Sequence, residues 1–218
     1  MIEAIVFDLD GVLVDSEHLW DDVRETLARE LGGRWHENAQ TDMMGMSPPE
    51  WSRYMHDVIG LPEAPEEINA EVVRRMEARY SDHLPLIDGA VEAVQRLAEA
   101  FRLGLASSSN RRVIDAVLAE ARLAKHFEAT VSSDEVARGK PAPDVFLEAA
   151  RRLDVPPGCC AAVEDSGNGI RAAHAAGMRV IAIPNRRYPP PAEALELADV
   201  VLDSLAELTS ATVRPKAT

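Results

Sequence analysis

The chain has two cysteines, three lysines and no long apolar run, and each shortage excludes something. Cys159 and Cys160 are adjacent. Neighbouring thiols bridge only with strain, and one such pair cannot staple distant segments. A disulfide framework is therefore excluded, and two free thiols in a reducing compartment are expected. No apolar run approaches the roughly 20 residues that span a bilayer. Basic residues are also in deficit, 23 against 37 acidic, for a net charge of −14. Such a surface repels a nucleic-acid backbone and an anionic membrane alike, so neither is an expected partner. A small phosphorylated molecule stays possible, because one metal ion and a few local cations outweigh distant acidic groups. The apolar stretch Ile2–Phe7 has no basic segment ahead of it and ends at once in acids, so a cytoplasmic location is expected.

What is present is a rhythm of short apolar runs and helical patterns. Ile2–Phe7, Arg102–Ala106, Ala129–Ser132, Cys160–Val163, Arg179–Ile183 and, late, Val200–Leu202 read as strands. They are continuous rather than alternating, as in strands covered on both faces. Between them, Gly89–Ala100, Arg112–Glu120, Pro143–Leu153 and Gly169–Ala176 read as helices, with Gly177 at a helix C-cap position. This order implies an α/β fold, an open parallel sheet with its ligand site at the carboxyl ends of the strands. From Ser16 to about His83 no strand pattern occurs. Leu19, Val23, Leu27 and Leu31 follow helical spacing, and Gly32-Gly33, Pro48-Pro49 and Pro62 to Pro65 divide the segment. It reads as a helical unit inserted after the first strand, with crossings near Asp15 and Pro85. The tail from about Thr209 is expected to be disordered.

Chemistry-bearing residues gather at the strand ends. Ile5-Val6-Phe7-Asp8-Leu9-Asp10-Gly11 runs an apolar strand into two acids spaced i, i+2. On extended chain these leave one face, and crowded carboxylates invite a divalent cation. An EF-hand is excluded, since its loop needs glycine sixth and glutamate twelfth; here Gly11 is fourth from Asp8 and Glu17 tenth. The second strand ends in Ser107-Ser108-Ser109-Asn110, where a hydroxyl beside helix-opening amides can bond a phosphoryl oxygen or simply cap. Lys140, between Gly139 and Pro141, is one of only Lys125, Lys140 and Lys216 in an arginine-using chain, which suggests a required point charge. The fourth strand ends in Glu164-Asp165, adjacent acids that point different ways, so that one can meet a metal and the other support it.

The ordered set Asp8-x-Asp10-Gly11, Ser107, Lys140-Pro141 and Glu164-Asp165 resembles the haloacid dehalogenase-like hydrolase superfamily, and within it the β-phosphoglucomutase and sugar phosphatase subfamily. The resemblance covers roughly residues 1 to 205. It implies a Rossmann-like core of residues 1–15 and 84–218, with 16–83 as a helical cap. It implies a phosphatase of a small phosphorylated metabolite in which Asp8 is the nucleophile, forming an aspartyl-phosphate, and Asp10 the general acid and base. Mg²⁺ is then held by the Asp8 carboxylate, the Asp10 backbone carbonyl and Asp165, with Glu164 assisting. Ser107 and Lys140 bind phosphoryl oxygens, with Ser108 and Asn110 beside them. A monomer is the expected state. Glu17, Trp20, Gly45, Met46 and Trp51 are candidates for reading the substrate from the cap, although Trp20 and Trp51 at helical spacing also suit cap packing. His18 and His56 read as surface or packing residues.

Among rival chemistries, dehalogenation needs neither a leaving-group acid nor a metal. Phosphonate cleavage needs a cap lysine, and 16–83 contains none. A phosphomutase is the rival within the family. It needs a cap cation for a second phosphate, yet Pro48 stands where mutases carry arginine and Trp20 where they carry histidine. Arg24, Arg53, Arg74, Arg75 or Arg79 could substitute. A non-catalytic module binding a phosphometabolite is the alternative of a different class.

Overall fold

The computed structural model describes residues 1–214. Six parallel strands form one sheet: β1 (Ala4–Phe7), β2 (Arg102–Ser107), β3 (Ala129–Ser132), β4 (Cys160–Glu164), β5 (Arg179–Ala182) and β6 (Val200–Val201), in the order β3-β2-β1-β4-β5-β6. The chain steps outward from β1 on one side and then restarts on the other at β4, so the central strand flanks the point where ligands collect in such sheets. Register follows from the pairing. Phe7 lies opposite Leu105 and Val163, which sets Asp8 level with Ala106 and Glu164.

Both faces of the sheet are covered, which is why the strands read as unbroken apolar runs. Ile5 and Phe7 pack into one core cluster, whereas Ala4 and Val6 join the other with Ala106, Phe146 and Ile170. Phe7 meets Phe127 edge to face, with centroids 6.1 Å apart. The core helices are α5 (Ala90–Ala98), α6 (Arg111–Glu120), α7 (Asp144–Arg152), α8 (Gly167–Ala175) and the short α9 (Ala192–Leu195) and α10 (Ser210–Val213). Gly177, after α8, takes φ +74°, as its C-cap position requires.

Between Ser16 and His83 the regular structure is entirely helical: α1 (Glu17–Glu30), α2 (Ala39–Met43), α3 (Pro48–Tyr54) with a π turn over Met55–Ile59, and α4 (Pro65–Asp82). Prolines open α3 and α4 at positions where no amide partner is needed. The two crossings are stitched together, with Asp15 N–H donating to Pro85 O at 2.9 Å and Ile87 N–H to Leu13 O at 3.0 Å.

One expectation is corrected. The tail from Thr209 is ordered as far as it is described; Val213 is fully buried and Thr209 caps α10 through Thr212 N–H. Arg96 donates to the Leu205 and Leu208 carbonyls, which docks the turn ahead of it. A four-residue helix held by such distant contacts has no periodicity of its own to read. Residues 215–218 of the expected disordered tail lie outside the described residues.

Candidate active site

The carboxyl ends of β1 and β4 and the loop before α7 bring four charged side chains together. Lys140 is 4% exposed. Its Nζ donates to Asp8 Oδ1 at 2.7 Å, Glu164 Oε1 at 2.5 Å and the Ala106 carbonyl at 3.2 Å, which uses all three of its protons. It also stands 4.9 Å over the Phe146 ring. Burial pulls its pKa down, but Asp8 and Glu164 together outweigh burial and hold the ammonium charged.

Asp8, Glu164 and Asp165 each offer an oxygen within 4.8 Å of the others. One lysine cannot neutralise three buried carboxylates. Burial therefore drives Asp8 well above the usual carboxylate range, with Lys140 opposing and Glu164 adding to the rise; Asp165 is raised by burial and then by Glu164 and Asp8. A divalent cation relieves the same imbalance, and oxygen-only donors suit a hard ion such as Mg²⁺. Glu164 is otherwise engaged: Oε1 takes Lys140, while Oε2 accepts from Asp165 N–H, Ser166 N–H and Ser166 Oγ. Asp8 and Asp165 are thus the carboxylates with oxygens to spare. Asp165 lies so close over Gly11 that an added Cβ would fall 1.9 Å from Oδ2, and Gly11 has φ +79°. Gly169 similarly makes room for Glu164. These clearances explain the glycines that follow each acidic pair.

Asp10 lines the same cavity but stands outside that carboxylate group. Its Oδ1 accepts from Ser16 Oγ (2.5 Å) and Trp20 Nε1 (3.0 Å), and its Oδ2 from Ser109 Oγ (2.6 Å) and Ser107 Oγ (3.4 Å). The inserted helices and the core therefore both hold this carboxylate. Asp8 and Asp10 thus reach one cavity, although β1 itself ends at Phe7 and Gly11 turns the backbone after them.

The serine loop divides its tasks. Ser107 accepts from Ser109 N–H at 2.9 Å, and Ser108 donates to the Gly45 carbonyl at 2.9 Å. Asn110 turns to Asn69 on α4 (3.1 Å) and does not line the cavity. Ser109 and Ser16 were missed in the sequence. Three consecutive serines do not disclose which one reaches the acid, and Ser16 was legible only as the residue before a helix.

The inserted helices close the cavity with Glu17, Trp20, Arg24, Met43, Met44, Gly45, Met46 and Trp51. Trp20 does two things, bonding Asp10 and packing at 6.3 Å against the buried Trp51. His18 sits beside Asp15 at 3.7 Å, and His56 bonds the Glu63 carbonyl, both outside the cavity. Arg74 and Arg75 pair with Glu71, and Arg79 with Asp22, on the outer surface. Of the five arginines considered, Arg24 alone lines the cavity.

Glu17 is pushed up to about 7, mainly by burial and then by Asp10, with Arg24 and Gln40 opposing. A raised carboxylate binds a proton more tightly folded than unfolded, so its contribution is present below the unfolded pKa and lost as pH rises through the folded one. Relative to Glu17→Gln, the wild type should lose about 3 kcal/mol of stability between about pH 4.5 and 8. Urea unfolding of both proteins across that range, in metal-free buffer, checks it. Parallel pH profiles would place Glu17 in a solvated setting.

Comparison with known proteins shows the family. Residues 2–177 match the family model of haloacid dehalogenase-like hydrolases. The chain is 37% identical to hexitol phosphatase B of Escherichia coli K12, covering 96% of this chain and 95% of that one. It is 32% identical to the bifunctional riboflavin kinase/FMN phosphatase of Arabidopsis thaliana, over 94% of this chain but 54% of that longer protein. The solved structure of CbbY from Rhodobacter sphaeroides in complex with phosphate superposes with a TM-score of 0.85 at 31% identity, over 98% of this chain and 99% of that one. With six parallel strands, an acidic cluster at their carboxyl ends and phosphatases among its relatives, the chain is a phosphoric monoester hydrolase belonging to the haloacid dehalogenase-like hydrolase family.

Proposed function

We propose that the chain hydrolyses a small phosphorylated metabolite, of sugar-phosphate type, with Mg²⁺ and through an aspartyl-phosphate on Asp8. The observation that carries this reading is the buried Lys140–Asp8–Glu164–Asp165 cluster opening onto the same cavity as a separately held Asp10. One Asp8 oxygen is fixed by Lys140, which aims the other at phosphorus; the P–O bond to the alcohol breaks as the Asp8–phosphorus bond forms. Asp10 gives a proton to the departing alkoxide, then takes one from the water that hydrolyses the acyl phosphate. Lys140 faces the charge that develops on the phosphoryl oxygens. Mg²⁺, held by Asp8 and Asp165 with the Asp10 backbone carbonyl, would supply charge neutralisation between nucleophile and phosphate.

In this reading residues 1–15 and 84–218 are the catalytic core, and 16–83 are a cap that excludes water and reads the organic group. Glu17, Gly45 and Met46 face that group, and Trp20 serves Asp10. Turnover of p-nitrophenyl phosphate tests the reading. Full activity is expected with millimolar Mg²⁺, and a fall of at least about 100-fold after EDTA, reversed by Mg²⁺. Activity indifferent to EDTA would remove the metal from the mechanism. Incubation with β-glucose 1-phosphate and a bisphosphate primer tests the mutase alternative, which requires glucose 6-phosphate without net phosphate release.

A further inference from the structure

Arg24 is a charged side chain in an unusual position. It is 6% exposed and lies in the crook of two tilted indoles, with its guanidinium carbon 4.7 Å from the ring centroids of both Trp20 and Trp51. Of its three nitrogens only Nη1 makes a hydrogen bond, to Gln40 Oε1 at 3.1 Å; Nε is buried without a partner. Among the described residues no carboxylate pairs with it directly. Glu17 is reached only through Gln40, whose Nε2 donates to Glu17 Oε2 at 2.8 Å. That relay fixes the amide, with its oxygen toward the cation and its nitrogen toward the acid.

Buried guanidinium groups are ordinarily paired with an anion, because desolvation is costly and the Nε/Nη2 edge is shaped for two oxygens. Here that edge has no partner, the side chain lines the cavity, and the indoles keep water off its faces. The carboxylates that share the cavity are Asp8, Asp10, Glu17 and Asp165. Asp8 is held by Lys140, Asp10 by Ser16, Trp20 and Ser109, and Glu17 by Gln40, and Glu17 and Asp10 act on Arg24 through space without a hydrogen bond to it. The missing partner is best supplied by the molecule that fills the cavity.

We propose that Arg24 is the specificity-determining residue at the cap end of the cavity, and that the substrate is a phosphate monoester carrying a second anionic group, a carboxylate or a further phosphate. This rests on the phosphatase reading above. The phosphoryl group to be cleaved meets Asp8 and Lys140, the second anion meets the free edge of Arg24, and Glu17 accepts from a hydroxyl between them.

The test compares substrates matched in skeleton. In one set are glycerol 3-phosphate, 3-phosphoglycerate and glycerol 1,3-bisphosphate; in the other are glucitol 6-phosphate, 6-phosphogluconate and glucitol 1,6-bisphosphate. In the wild type, kcat/KM for at least one doubly anionic member should exceed its neutral partner by about 10- to 100-fold. Whether the carboxylate or the phosphate member wins distinguishes the two sources of the anion. In Arg24→Gln that ratio should collapse to near one, mainly through KM, and Arg24→Lys should restore part of it. A wild type that favours the neutral members of both sets would overturn the proposal without recourse to any variant. So would a ratio unchanged in a folded Arg24→Gln, as shown by circular dichroism and thermal unfolding. Failure of the wild type to cleave p-nitrophenyl phosphate would instead defeat the underlying phosphatase reading.

Discussion

Asp8→Asn is expected to lower kcat on any phosphate monoester by at least about 10⁴-fold while leaving the protein folded. The amide keeps the volume and planarity of the carboxylate but lacks a nucleophilic oxygen of comparable strength. The second half of this expectation follows from the crowding at the strand ends. Asp8 is one of three buried carboxylates sharing a single lysine, and burial already drives it toward protonation. Neutralising it removes repulsion against Glu164 and leaves the Lys140–Glu164 pair intact at 2.5 Å. In metal-free buffer, thermal stability should therefore hold or rise, whereas the stabilisation conferred by Mg²⁺ should shrink as one ligand is lost. Initial rates together with Tm measured with and without Mg²⁺ separate the two effects. Retention of more than a tenth of wild-type kcat by a folded Asp8→Asn would remove Asp8 from the chemistry.

Much of this site was legible because a parallel sheet delivers the ends of all its strands to one rim. Acids after Phe7, serines after Ala106 and acids after Val163 had to converge once the runs before them were read as buried strands. What stayed hidden depends on side-chain direction over a turn or less. Asn110, the residue immediately before α6, faces Asn69, while Ser109 just before it reaches Asp10. The division of labour between Glu164 and Asp165 was open because adjacent acids diverge. Only the three donors around Glu164 Oε2 show that Glu164 supports the cluster while Asp165 keeps a free oxygen. The sequence left Trp20 open between reading the substrate and packing the cap; its ring lines the cavity and packs against Trp51, and its N–H is committed to Asp10. Arg24 lies on the α1 face shared by Glu17 and Trp20, at i, i+3 and i+7, so its direction was available. Its burial was not, because that depends on Trp51 arriving from α3. The short helix Ser210–Val213 was invisible for a related reason: it rests on the burial of Val213 in the core, and the turn before it is held by Arg96, more than a hundred residues earlier.

Lys140→Met should damage stability and rate together, where Asp8→Asn damages rate alone. Methionine preserves most of the aliphatic volume beside Phe146 but removes all three hydrogen bonds at once. Removing one partner of a buried ion pair costs about 3–5 kcal/mol, because the remaining charge is uncompensated. Here two acceptors, Asp8 and Glu164, lose the same cation. The pH dependence follows with a definite sign. Asp8 and Asp165 already have raised pKa values, and without Lys140, which opposes the rise of Asp8, Asp8 rises further, so the folded variant binds protons more tightly than the unfolded chain. Protonation then substitutes for the missing charge at low pH and fails to do so at high pH. The deficit against wild type should be smallest near pH 5 and grow toward pH 8, as urea unfolding in EDTA would record. Mg²⁺ should recover part of the stability, since a divalent ion answers the same excess of negative charge. It should not recover the rate: kcat/KM is expected to stay down by about 10³-fold, because an ion bound by Asp8 and Asp165 does not replace the fixed positive charge that Lys140 holds against Asp8. Equal stability of variant and wild type at pH 8 in EDTA would mean that the cluster is neutralised by some other group, and the charge balance on which the metal assignment depends would have to be redrawn.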